Sequence, residues 1–188
     1  MQVRDLIYNH TLDDIQIIKS SCSQFINESA GIPVLKNLPP IYENFKKVKV
    51  RKRKQTNSFS NAFNNAFSDE IMGLRERSVF TNGLLKLEEN LDPFYIFPVN
   101  GYDYLYSREV GDSTESYRHV FESIFDAWDD VATATDVVND LLRFTYVSEN
   151  LSTGIETGAE IIFYGIPYYY AIRESCVESY DSLLTALI

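Results

Sequence analysis

Four short runs of aromatic and β-branched residues constrain this chain more than any other feature. They are Phe94-Tyr95-Ile96-Phe97-Pro98-Val99, Tyr102-Asp103-Tyr104-Leu105-Tyr106-Ser107, Glu160-Ile161-Ile162-Phe163-Tyr164 and Tyr168-Tyr169-Tyr170-Ala171-Ile172. Runs of this length and composition, set between turn signals, read as β-strands. Ser78-Val79-Phe80-Thr81 reads the same way ahead of Asn82-Gly83. The dipeptide Asn100-Gly101 predicts a hairpin joining the first two runs, because both residues tolerate the positive φ of a tight primed turn. Gly165-Ile166-Pro167 breaks the last two apart.

Around these strands the apolar spacing becomes helical. Thr11 and Asp14 resemble a capping box with Asp in the Glu position, and Leu12, Ile15, Ile18, Cys22, Phe25 and Ile26 follow at helical intervals. One amphipathic helix is expected over 11–29, ended by Ala30-Gly31-Ile32-Pro33. Val34 to Pro40 reads as a short extended piece. Phe59, Phe63 and Phe67 recur every four residues, so their rings share one face of a short helix and read as core. Between 113 and 144, Val120, Ile124, Ala127, Trp128, Val131, Val137, Val138, Leu141 and Leu142 predict a helical hairpin or a kinked helix. Leu183, Leu184 and Leu187 place a short amphipathic helix at the end.

The order helix, strands, helices, strands indicates an α+β class with a mixed or antiparallel β core, not alternating βαβ units. At 188 residues and 45% hydrophobic content the chain can bury one substantial core. A single domain over 1–188 is expected, comprising the N-terminal helix 11–29, a basic segment 46–54, a β core over 74–110 and 145–174, and a helical insertion over 113–144.

The net charge of −10 hides a division along the chain. Residues 46–54, Lys46-Lys47-Val48-Lys49-Val50-Arg51-Lys52-Arg53-Lys54, hold seven cations in nine positions, whereas beyond Ser78 only Lys86, Arg108, Arg118, Arg143 and Arg173 are basic. The basic run is either a solvated edge strand or loop whose lysines discourage aggregation, or a binding segment for phosphate. Asp126, Asp129, Asp130, Asp136 and Asp140 form an acidic helical face, which is either plain solvated surface or a mimic of a polyanion offered to a basic partner.

Several chemistries find no support. No phosphate-binding glycine loop, dinucleotide fingerprint, zinc-protease helix or nucleophile elbow occurs. The two histidines, His10 and His119, read as surface groups, and Cys22 and Cys176 lie far apart in no metal spacing. Met1-Gln2-Val3-Arg4-Asp5 lacks a signal-peptide h-region, and no apolar run approaches the ~20 residues that span a bilayer. A cytoplasmic protein in a reducing compartment, with no membrane association, is expected.

One carboxylate remains. Glu160 opens a strand otherwise made of Ile, Phe and Tyr, so it is either solvated at a sheet edge or part of a site. A fixed carboxylate there can hydrogen-bond a ribose hydroxyl and stabilise an oxocarbenium-like transition state.

The block Glu160 to Phe163 running into Tyr168 to Ile172 resembles the closing strands of ADP-ribosyltransferase folds, in which a Glu begins the strand. Arg77-Ser78-Val79-Phe80-Thr81-Asn82-Gly83 and Phe94 to Pro98 resemble that fold's Ser/Thr strand and the strand after it. The order also resembles phage-encoded proteins of this kind, with an extended first segment, here Ile32 to Asn37, followed by a basic Val-Arg-Lys-rich stretch. The resemblance covers about residues 32–172. It implies an ADP-ribosyltransferase-like fold and NAD as substrate. Glu160 would orient the nicotinamide ribose, Ser78 with Thr81 nearby would position Glu160, and Arg77 and Thr81 would lie along the NAD site. Lys36 falls where the family carries a phosphate-holding arginine, and lysine supplies charge without a bidentate fork. Under the resemblance, the alternative source of that guanidinium would be Arg51 or Arg53 of the basic stretch. Gly158 stands two residues before Glu160, where arginine-modifying members often carry Glu or Gln, and the nearest other acid is Glu156.

Two functions follow from the resemblance. One is an NAD-dependent ADP-ribosyltransferase or NAD glycohydrolase of phage type, acting in a host cytoplasm on a host protein or nucleic acid. The other is a catalytically degenerate relative that binds and blocks a host factor through its acidic, Tyr-rich face.

Overall fold

The structure, a computed structural model, describes residues 12–39, 45–52, 58–69, 71–83, 92–109, 113–177 and 179–188. The expectations placed on Met1 to Asp5, His10, Thr11, Pro40, Arg53 and Lys54 lie outside the described residues. In chain order the elements are α1 (Leu12–Ser21), α2 (Ser23–Glu28), β1 (Leu35–Lys36), β2 (Phe45–Lys49), α3 (Ser58–Ala66), β3 (Val79–Asn82), β4 (Phe94–Pro98) and β5 (Asp103–Ser107). They continue with α4 (Ser113–Trp128), α5 (Val131–Thr145), β6 (Tyr146–Val147), α6 (Leu151–Glu156), β7 (Glu160–Tyr164), β8 (Tyr168–Arg173) and α7 (Tyr180–Leu187).

The class is α+β, with a large sheet in the order β2-β8-β4-β1-β3-β7-β5-β6. Every pairing is antiparallel. The long ladders form two sets, β2-β8-β4 and β3-β7-β5-β6, and among the described residues only the two-residue β1 joins them, through Leu35 opposite both Asn82 and Tyr95. The last two strands are where the sequence placed them, but they are not partners. β7 lies between β3 and β5, and β8 lies between β4 and β2.

Two clusters of buried side chains account for the layers. The larger draws on both strand sets and on α1, α2, α6 and α7, with Ile18, Phe25, Leu151, Ile155 and Leu183 against Phe97, Ile161 and Phe163. Phe25 meets Phe97 and Phe163 edge-on, with ring centroids 6.0 and 5.9 Å away, so one α2 side chain packs on both sets. The second cluster lies on the other face of β3, β7, β5 and β6, where α3, α4 and α5 place Phe63, Phe121, Val138 and Leu142 over Ile162, Leu105 and Tyr146. The alternation along β7, Ile161 and Phe163 to one cluster and Ile162 to the other, is the period of two expected for a strand buried on both faces.

Two expectations need correction, for one reason. A single helix was expected over 11–29, yet it breaks at Cys22, whose φ of −125° and ψ of 21° leave the helical range. A hairpin was expected at Asn100-Gly101, yet β4 and β5 do not pair. The Asn100 turn instead wedges into the helix break. Its N–H donates to the Ser21 carbonyl at 2.7 Å, its Nδ2 to the Ser20 carbonyl at 3.3 Å, and its Oδ1 accepts from the Gln24 N–H at 2.9 Å. These bonds serve backbone groups that a continuous helix would have paired internally. The segment 113–144 is a true helical hairpin, with Asp130 capping α5 by accepting from the Ala132 N–H. Among the described residues no helix is long and apolar enough to cross a membrane.

Candidate functional site

The first part of the basic run, Lys46 to Lys49, lies in the edge strand β2, paired with β8 from Phe45 opposite Ile172 to Lys49 opposite Tyr168. Beside it the chain from Lys36 to Pro39 leaves β1, and together with Ser78, Val79 and Tyr169 these segments enclose a groove of about 710 Å³. Five cations line it, Lys36, Lys46, Lys47, Lys49 and Arg51, and no carboxylate does among the described residues. Consecutive β-strand side chains point to opposite faces, so a groove touched by every residue from 46 to 51 runs along the open edge of β2.

The cations are held at defined places. Lys36 Nζ donates to the Phe80 carbonyl in the middle of β3. Lys47 lies over the Tyr168 ring, 3.6 Å from its centroid. Lys52 pairs with Glu76 at 3.3 Å, which ties the strand's C-terminal extension to the turn leading into Ser78. Ser78 is buried, and its hydroxyl donates to the Leu74 carbonyl. A groove lined by five cations and no carboxylate among the described residues favours an anionic ligand.

Glu160 lies elsewhere. It is 6% exposed and faces the α3–α5 side of the sheet, so it is neither a solvated edge group nor a lining residue of the groove. The Tyr146 hydroxyl donates to its Oε1 at 2.5 Å. Across the sheet Glu160 stands opposite Asn82, which in turn stands opposite Leu35. Ser107, 1% exposed, is the β5 partner of Tyr146, so Tyr146, Ser107, Glu160 and Asn82 make a polar band at one end of β6, β5, β7 and β3. Tyr117 and Thr145 share a buried hydrogen bond of 2.7 Å close by. Burial raises the Tyr117 phenol, Thr145 opposes that, and Glu160 is among the charges that add to it.

The structure therefore brings Lys36, Arg51 and Ser78 to one groove and leaves three other residues out of it. Val79 stands opposite Phe163 and Asn82 opposite Glu160, so Ser78 and Glu160 sit at opposite ends of the β3–β7 pair, about 14 Å apart along the strand. Thr81 is fully buried and its hydroxyl donates to the Ile161 carbonyl at 3.1 Å, inside the sheet. Arg77 is exposed beside Ser78 and is not among the groove residues. His119 is exposed on α4, and no cluster of metal-ligating side chains occurs among the described residues. Sequence reasoning missed Tyr146, the partner of Glu160, because nothing local distinguishes it from twelve other tyrosines. It also left the edge-strand and phosphate readings of 46–54 as alternatives, whereas Phe45–Lys49 form an edge strand and Lys46 to Arg51 line the groove.

The sequence matches no protein-family model and no curated protein, and the fold matches no solved structure.

Proposed function

We propose that this chain has an ADP-ribosyltransferase-like fold and consumes NAD as an ADP-ribosyltransferase or NAD glycohydrolase. The observation that carries the reading is the adjacency of β1, β3 and β7, the strands that hold Lys36, Ser78 to Asn82, and Glu160, with Leu35, Asn82 and Glu160 in one row and with Lys36 and Ser78 in a cation-lined groove at the other end of β3. The pyrophosphate of NAD would lie against Lys36 and Arg51, where the charge is. Glu160, buried outside the groove, would have to be uncovered to accept a hydrogen bond from the nicotinamide ribose, and would then favour the oxocarbenium-like state as the C1′–N bond breaks. Nicotinamide leaves with the bonding electron pair, and a water, protein or nucleic-acid nucleophile adds to C1′ and loses its proton.

A second reading is favoured by one specific observation. The Glu160 carboxylate is buried and engaged by Tyr146, whereas the tip of the α4–α5 hairpin exposes Trp128 at 74% beside Asp126, Asp129 and Asp130. In this reading the chain binds NAD or nothing in the groove and blocks a basic host protein through the tip.

Thermal unfolding with and without millimolar NAD, followed by assay for released nicotinamide, separates the two. A ligand at 100 times its Kd stabilises the fold by about 2.7 kcal/mol. The enzyme reading expects that shift, nicotinamide release, and loss of release in Glu160→Gln. A shift with no release leaves a degenerate NAD binder, and no shift removes NAD altogether. Charge reversal at Asp126, Asp129 and Asp130 weakens partner capture only in the second reading.

A further inference from the structure

The NAD reading uses only part of the groove's charge. A dinucleotide carries two bridging phosphates, yet five cations line the groove, and from Lys46 to Arg51 they extend along the edge strand, about 17 Å at the rise of an extended chain. Lys47 and Lys49 share one face of β2, Lys46 lies on the other, and Arg51 continues the line beyond the strand. Cations on both faces of a single edge strand serve a ligand that follows the edge, because a compact ligand seated on one face would meet only every second residue.

Aromatic side chains accompany the cations. On the face of Lys47 and Lys49, the half-buried Phe45 ring stacks on Tyr170 with centroids 5.7 Å apart and planes 8° from parallel, and the half-buried Tyr168 packs edge-on to Tyr170 at 5.7 Å. Lys47 lies over the Tyr168 ring at 3.6 Å, so Tyr168 holds that cation in place. Cations beside an aromatic ring such as Phe45 are the combination that holds single-stranded nucleic acid without sequence preference, through phosphate charge and base stacking. In a chain of net charge −10, this edge, with five cations and no carboxylate lining its groove among the described residues, is a favourable track for a polyanion.

We infer that the β2 edge binds single-stranded nucleic acid, its phosphate backbone along Lys46, Lys47, Lys49 and Arg51 and its bases toward Phe45. The inference rests on the NAD reading only for purpose, the strand then being the acceptor presented beside the groove. Binding itself needs no NAD.

The test is fluorescence anisotropy of a labelled 12-nucleotide oligouridylate and oligothymidylate with the full chain, without NAD, from 50 to 200 mM salt. Contact with about four phosphates gives a log–log slope of about −2.8, so affinity falls about 50-fold over that range. Removing two of those contacts with Lys47→Gln plus Lys49→Gln lowers the fall to about 7-fold. Both side chains are exposed, and circular dichroism of the variant confirms that it is folded. A Phe45→Ala variant is expected to weaken binding with the salt slope unchanged. Absence of binding at 50 mM salt overturns the inference, as does a slope untouched by the lysine variant. Equal affinity for polyglutamate of matched length also overturns it, showing an anion patch with no preference for nucleic acid. The NAD reading fails on a different readout, nicotinamide release in the absence of oligonucleotide, so either can fall while the other stands.

Discussion

The Tyr146 hydroxyl donates to Oε1 of Glu160 at 2.5 Å, joining the first residue of β6 to the first residue of β7. Both side chains are buried, Tyr146 packed edge-on against the Phe63 and Phe67 rings at 5.8 and 5.7 Å. Hydrogen bonds to charged groups contribute about 1.5–3 kcal/mol, and a buried acceptor that loses its donor is costly. Tyr146→Phe keeps the ring packing and removes the donor, so it is expected to lower stability by about 2 kcal/mol in urea unfolding at an unchanged m-value. A change below about 0.5 kcal/mol would mean that the carboxylate is satisfied without Tyr146.

Gly83 marks a close approach. A Cβ there would lie 2.2 Å from the Ile155 carbonyl oxygen and 2.8 Å from the Gly158 Cα, both backbone atoms that cannot swing aside. Gly83→Ala is expected to cost about 1–3 kcal/mol through overpacking where β3 meets the α6–β7 connection. The denaturant midpoint reads the loss, and an unchanged midpoint would show that this connection yields.

Asn100 holds the helix break. Asn100→Ala deletes the side-chain bonds to Gln24 and Ser20 while keeping the backbone bond to Ser21. The expected cost is about 1 kcal/mol, as for an N-cap. Hydrogen exchange should quicken first at the Gln24 amide, and exchange as slow as in the parent would refute the capping role.

Alkaline pH should destabilise the fold. Burial pushes the Cys22 thiol from its ordinary 9.0 up to about 12, and its Sγ donates to the Phe97 carbonyl at 3.5 Å. Burial also raises the Tyr102 phenol, with a further push from Glu28, to which it donates at 2.6 Å. A raised folded pKa means that the native state keeps a proton the unfolded chain has lost. The contribution is therefore full below pH 9.0 and is lost as the pH rises toward about 12. Melting temperature should decline between pH 9 and 11, less steeply in Cys22→Ala. Iodoacetamide should not label Cys22 at pH 8.5 until urea is added, and rapid labelling of the folded chain would contradict the burial.

The local elements were legible because each rests on neighbours in sequence. Phe59, Phe63 and Phe67 at intervals of four gave α3 its buried face, and the apolar run from Glu160 gave β7 its two packed faces. The expected hairpin at Asn100-Gly101 failed because turn propensity reports what a dipeptide permits. The bonds to Ser20, Ser21 and Gln24 decide what it does. Helix α6 and strand β6 were not anticipated, being six and two residues long and too short for periodicity to register.

The candidate groove divides in the same way. Its charge was plain in residues 46–54, since seven cations in nine positions are a property of composition. Its walls come from Lys36 to Pro39 and from Ser78, remote in sequence and joined only when β1 pairs with β3 and β4. Glu160 shows the complement. Its place at the head of a strand was written in the chain, but its burial and its partner depended on α3, α4 and α5 closing over that face of the sheet. Periodicity and charge are carried by adjacent residues and survive in any conformation. Which strand lies beside which, and which carboxylate loses its water, is set by long-range pairing that only the folded chain resolves.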